Sequence, residues 1–143
     1  MNKEISTYTF DQLSVGMSES INQMVSEEMI LDFCKTTNDY HPLHSNKQYA
    51  LENGFDNIIA HGLLISSLSS SLIGMKLPGE NSLVASQNFH FRKPVYPGDE
   101  LEITGEIIEK DERFQAVQIK IKIKKVISNE LVATGKYLSL IHI

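Results

Sequence analysis

The chain has no tryptophan, one cysteine and four prolines in its 143 residues, and it carries no long unbroken apolar run. Each shortage excludes something. With Cys34 alone, no internal disulfide can form, and nothing marks an oxidising compartment. The most apolar stretch, GLLISSLSSSLIGMKL, is interrupted by five serines and does not read as a membrane span. The opening MNKEISTYTF lacks the apolar centre of a signal peptide, so a cytoplasmic protein is expected, with no membrane partner. Basic residues are in the minority. Thirteen Lys and Arg against 18 Asp and Glu give a formal net charge of −5, which argues against nucleic acid as a partner.

What is present suits one domain. A chain of this length buries roughly 68–70% of its unfolded surface, enough for a core without staples. No repeat or linker divides it, so residues 1–143 are expected to form a single unit. Ser26 precedes EEMILDFCKT, an N-cap followed by acids in the first turn, and predicts a helix that ends by Tyr40, ahead of His41-Pro42. A second short helix is expected over Lys47–Glu52, capped by Ser45 or Asn46 and ended at Asn53-Gly54. The third follows His61-Gly62, with Leu64, Leu68, Leu72 and Met75 along one side and small serines between them.

Beyond Pro78-Gly79 the period changes to two. Residues 83–91, 100–108, 114–126 and 130–141 read as strands, the clearest being Val117, Ile119, Ile121 and Ile123 alternating with Gln118, Lys120, Lys122 and Lys124. The lysine row is the wet face of a half-buried antiparallel strand; contact with a phosphate-bearing ligand is the other reading. Helices early and antiparallel strands late predict an α+β domain, with a buried apolar helix wrapped by one curved sheet.

The chemistry concentrates in TTNDYHPLH. Asp39 and His44 are five apart, about 140° around a helix, so either they are unrelated or a turn at Pro42 brings them together. A carboxylate and an imidazole facing one water suit proton transfer at neutral pH. Asp39, His41 and His44, with His61 further on, also suggest a metal site. No recognised zinc spacing is present, and none is expected. In IAHGLL, Gly62 opens the apolar helix. The first amides of a helix lack internal partners and can receive a carbonyl oxygen that gains charge; a plain helix start is the alternative. The residues alone reach proton transfer beside a carbonyl, with water added or removed.

Several stretches together carry a resemblance: N-D-Y-H-P-L-H from Asn38 to His44, against a signature of approximately G-D-x-N-P-[LIV]-H; IAHGLLISSL at 59–68; LPGENSLVASQNFHFRKPVYPGDEL at 77–101; and FDQLSVGM at 10–17. On these the chain resembles the MaoC-like (R)-specific enoyl-CoA hydratases (hydratase 2). The resemblance implies an α+β hot-dog fold, with a long central apolar helix wrapped by a curved antiparallel β-sheet. It implies Asp39 and His44 as the catalytic pair that binds water, and Gly62 as the amide facing a thioester carbonyl. His61 and His41 join Gly62 as expected substrate-binding positions. No cofactor is implied beyond the coenzyme A or acyl carrier protein that carries the acyl thioester, and a homodimer is expected. Two positions depart from the signature: Asn38 replaces its glycine and His41 its asparagine. The alternatives are a 3-hydroxyacyl-ACP dehydratase and, in another class, a non-catalytic acyl-thioester-binding or assembly protein.

Overall fold

Alternation along Lys120–Lys124 is resolved as a burial pattern. In the structure, a computed structural model that describes residues 3–142, Ile119, Ile121 and Ile123 are fully buried while Lys120 and Lys122 are exposed. Each buried isoleucine contributes about 1.5–3 kcal/mol, so this one strand anchors a large part of the core. It is β4 (Ala116–Lys125), flanked by β3 (Glu100–Asp111) and β5 (Leu131–Ile141). β1 (Ser18–Met24) pairs with β3, and β2 (Ser82–Phe91) with β5. The result is a five-stranded antiparallel sheet in the order β1-β3-β4-β5-β2. β1 comes in addition to the four strands expected from the period-two pattern.

The helices lie before β2: α1 (Glu27–Thr37), α2 (Pro42–Ser45), α3 (Lys47–Glu52), α4 (Gly62–Ser67) and α5 (Ser69–Ser71), followed by a π-helical turn at Leu72–Lys76. α1 and α3 match expectation, caps included. Ser26 Oγ accepts from the Met29 amide, and Asn46 Oδ1 from that of Tyr49.

The long central helix does not form as one rod. Residues 62–76 stay helical in backbone sense, but Leu68 (φ −65°, ψ −24°) separates two α pieces and the final turn widens to π. The serines supply the reason. Ser66, Ser67 and Ser69 donate their hydroxyls to the carbonyls of Leu63, Leu64 and Ser66, competing with the helix's own amides for those acceptors. The Leu68 amide shortens its bond to Ile65 at 3.2 Å.

This segment still packs against the sheet. A Cβ on Gly105 would lie 2.6 Å from Leu72 Cδ2, so only glycine lets the leucine seat there. Ser69 is fully buried; having donated to Ser66, its Oγ accepts from the Tyr137 hydroxyl at 2.6 Å. No helix among the described residues is long and apolar enough to cross a membrane.

Candidate active site

The site is threaded by short-range hydrogen bonds from the end of α1. The left-handed turn that stops α1 falls on Asn38, at φ 64°. That conformation favours glycine, with asparagine the next most tolerant residue, so Asn38 suits the position where the signature carries glycine. Beyond it, the Asp39 amide donates to Thr37 Oγ1 at 3.2 Å, and Asp39 Oδ1 accepts from the His41 amide at 3.1 Å. Pro42 does not interrupt the chain here. It occupies the first position of α2, where its missing N–H costs nothing and its fixed φ suits the helix.

His41 is the N-cap of α2, its Nδ1 accepting from the Leu43 amide at 3.2 Å. Capping is what asparagine does well, and here the imidazole does it instead. His41 is therefore engaged in holding α2 and does not line the cleft described below.

α2 presents His44. Its Nδ1 lies 2.7 Å from the Ile59 carbonyl, which can only accept, so Nδ1 carries the hydrogen and Nε2 keeps its lone pair. The Ile59 amide in turn donates to Leu43 O, tying the 59–61 segment to α2, and Ala60 N donates to Val95 O, tying it to the turn after β2. Burial pushes the His44 pKa below its ordinary value of 6.5. The bond to Ile59 opposes this, His61 adds to it, Asp39 opposes it, and His41 adds to it again. The neutral imidazole is favoured, in the tautomer of a base.

His61 stands behind His44 rather than beside the substrate space. It is buried at 3% exposure and stacks on the His44 ring at 3.8 Å between centroids, with Phe33 4.7 Å from its own ring. Its Nε2 donates to the Asp39 carbonyl at 3.1 Å and lies 4.0 Å from Asp39 Oδ2. One ligand-capable atom each from Asp39, His44 and His61 falls within a 4.8 Å span. His61 Nδ1 is buried with no hydrogen-bond partner among the described residues.

Cys34, which entered the sequence analysis only as the cysteine that excludes a disulfide, sits 3.6 Å from His61 Nε2. Burial, then the Asp39 charge, raise its pKa, which keeps it a thiol. No spacing rule could have found this contact, because its partners are 27 residues apart and meet only through the packing of α1.

A cleft of ≈ 380 Å³ opens in front of His44 and Gly62, walled mainly by Ile59, Phe91, Val95 and Val132. Gly62 lies under the Phe91 ring: a Cβ there would come 3.0–3.3 Å from three ring atoms. Of the five candidate residues, His44 and Gly62 reach the cleft wall. Asp39, half exposed, adjoins His44 from outside that lining, with His61 behind.

A five-stranded antiparallel sheet packed on a buried helical segment is the architecture of the hot-dog class. The structure of an (R)-hydratase from A. caviae involved in PHA biosynthesis matches with a TM-score of 0.86 at 28% identity, over 90% of this chain and 97% of that one. The chain belongs to the MaoC-like domain family, whose model matches residues 13–129. It is 34% identical over 109 residues to a 3-hydroxybutyryl-CoA dehydratase of Methylorubrum extorquens, covering 76% of this chain and 69% of that protein. To a mitochondrial 3-hydroxyacyl-[acyl-carrier-protein] dehydratase of Arabidopsis thaliana it is 37% identical, covering 62% of this chain and 52% of that protein.

Proposed function

We propose that the chain adds water across the 2,3 double bond of a trans-2-enoyl thioester to give the (R)-3-hydroxyacyl thioester, or runs the reverse dehydration. The observation that carries this is His44: its Nδ1 hydrogen is held by Ile59, so a free Nε2 lone pair stands at the wall of an apolar cleft beside Gly62. The (R)-hydratase and dehydratase names of the relatives support the same chemistry.

In the forward direction, Asp39 orients the water by accepting one of its hydrogens. His44 Nε2 takes the other as the water oxygen bonds C3. The π electrons move through C2 onto the thioester oxygen, which the Gly62 amide receives. The enolate then collapses, and C2 takes its proton from the His44 imidazolium. A positioned base of this kind contributes typically ~10²–10⁴ in rate, and an amide at the oxyanion about 10²–10³. His61 acts through its neighbours, holding the Asp39 carbonyl and backing the His44 ring.

The active form is a homodimer in this reading. Among the described residues β2 is an edge strand with one side unpaired, and Leu83, Val84 and Phe91 on it are 56%, 43% and 51% exposed. A second copy covers that edge.

The test is loss of the enoyl-thioester absorbance with crotonyl-CoA and longer homologues, repeated for Asp39→Asn and His44→Ala. The reading expects turnover that drops by at least about 10²-fold in both variants. Turnover on no enoyl thioester would end the proposal; equal activity in the variants would remove the assigned pair.

A further inference from the structure

His41 stands where the signature carries asparagine, and the exchange alters the chemistry of the α2 cap. An asparagine caps through an amide oxygen that does not titrate. The His41 cap is the lone pair of Nδ1, which accepts from the Leu43 amide at 3.2 Å. Such a cap exists only while that nitrogen is unprotonated, and histidine is the side chain whose ordinary charge change falls between about pH 5 and 8.

Leu43 joins this cap to His44. The Leu43 carbonyl accepts from the Ile59 amide at 3.0 Å, and the Ile59 carbonyl accepts from His44 Nδ1 at 2.7 Å. Three hydrogen bonds therefore run in series, from His41 Nδ1 through the backbones of Leu43 and Ile59 to the nitrogen that sets the His44 tautomer. The His44 amide also donates to the His41 carbonyl at 2.8 Å, so the two histidines are tied at both ends of the turn.

His41 is exposed, and solvent protons reach it. The titratable groups against it are Asp39, His44 and Tyr49. Asp39 Oδ1 accepts from its amide at 3.1 Å, the His44 ring lies 5.8 Å away between centroids, and Tyr49 of α3 meets it edge-on at 6.3 Å. Among the described residues the ion pairs within 4.0 Å do not include His41. A proton on Nδ1 sets two donors, Nδ1–H and the Leu43 amide, against each other with no acceptor between them. It also puts a positive charge at a helix N-terminus, the end that disfavours cations.

We propose that His41 is a proton-sensitive positioning residue: a proton taken from solvent at Nδ1 releases the Leu43 amide, slackens the tie to Ile59 and loosens the hold on His44. The effect on rate rests on the hydratase reading above; the release of Leu43 does not.

Two readouts test it. Turnover of crotonyl-CoA is followed from about pH 8 to about pH 5 for the wild type, His41→Asn and His41→Ala, each scaled to its own value at the upper end. The wild type should fall about fivefold further than His41→Asn, the population shift carried by an N-cap of ordinary strength. His41→Ala, uncapped at every pH, should start lower and follow the shallower slope of His41→Asn. Charge alone predicts the reverse. His41 lowers the His44 pKa, so removing it as a charge would bring the acid fall of His41→Asn to higher pH. The second readout is the Leu43 amide in proton–nitrogen NMR. Its proton should move upfield in acid in step with the His41 ring, and hold its position in His41→Asn.

An acid fall that is equal in the wild type and His41→Asn, or earlier in His41→Asn, overturns the coupling to His44. A wild-type Leu43 amide that ignores pH, or that shifts equally in His41→Asn, overturns the cap itself. Absence of turnover on any enoyl thioester defeats the hydratase reading alone, because the NMR titration does not depend on turnover.

Discussion

Replacing His61 with phenylalanine should make the protein more stable and less active. The ring sits between Phe33 at 4.7 Å and His44 at 3.8 Å, so a planar aromatic of similar size keeps most of the packing. Two polar interactions change. The donation from Nε2 to the Asp39 carbonyl is lost, a net cost of about 0.5–1.5 kcal/mol. The buried Nδ1, which has no partner, is removed as well, a gain of about 1–3 kcal/mol. The balance favours the variant by about 1 kcal/mol, or about 4 °C in Tm for a chain of this size. Activity moves the other way. Asp39 loses its tether, and a displacement near 1 Å at a reacting group costs about 10²-fold in kcat.

His61→Gln keeps an N–H within reach of the same carbonyl and should recover most of that loss. In both variants the His44 pKa rises once the charge-opposing neighbour is gone, so the lower limb of the kcat–pH profile shifts upward. Denaturant titration, thermal melts and turnover across pH read all three effects. Stability falling together with activity, or an unchanged kcat in His61→Phe, would refute the assignment of His61 as a positioning residue with an orphaned nitrogen.

Further outcomes follow from the same geometry. Because the folded-state pKa of His44 lies below the unfolded value of 6.5, the unfolded chain takes up the proton first as pH falls. Stability should therefore be fully present above about pH 6.5, decline as pH drops toward the folded pKa, and level off below it. His44→Ala should remove that component from unfolding free energies measured across pH. His41→Ala should lower stability by about 1 kcal/mol through loss of the α2 cap while His41→Asn should restore it, in denaturant melts; equal stability in both would show that the cap is not what His41 supplies. Gly105→Ala should cost about 1–3 kcal/mol, since its Cβ meets Leu72 at 2.6 Å, and a wild-type melting temperature would contradict the packing.

Much of this was legible in the sequence where the signal is local. Ser26 and Asn46 each bond an amide three residues on, and the isoleucine alternation in β4 is set by the two-fold pleat. The break in the central helix was not legible from periodicity, because Leu64, Leu68 and Leu72 keep the same spacing whether the backbone runs unbroken or not. What interrupts it is competition for carbonyls by serine hydroxyls, a hydrogen-bonding effect to which hydrophobic spacing is blind. Pro42 was equally ambiguous. As a stop it ends one helix and as a first residue it begins another, and only the cap from His41 decides. The position of His61 behind His44 depends on α1 packing beneath both, a tertiary fact with no local marker.

The nine residues from Thr37 to Ser45 settle their own shape, largely by bonds to one another. The apolar walls of the cleft come from elsewhere, from Phe55, Ile59, Phe91, Pro94, Val95 and Val132. Chemistry and substrate choice are thus written in separate parts of the chain. A lineage can widen, shorten or reshape what it accepts by drift in one part while the reaction is inherited intact in the other.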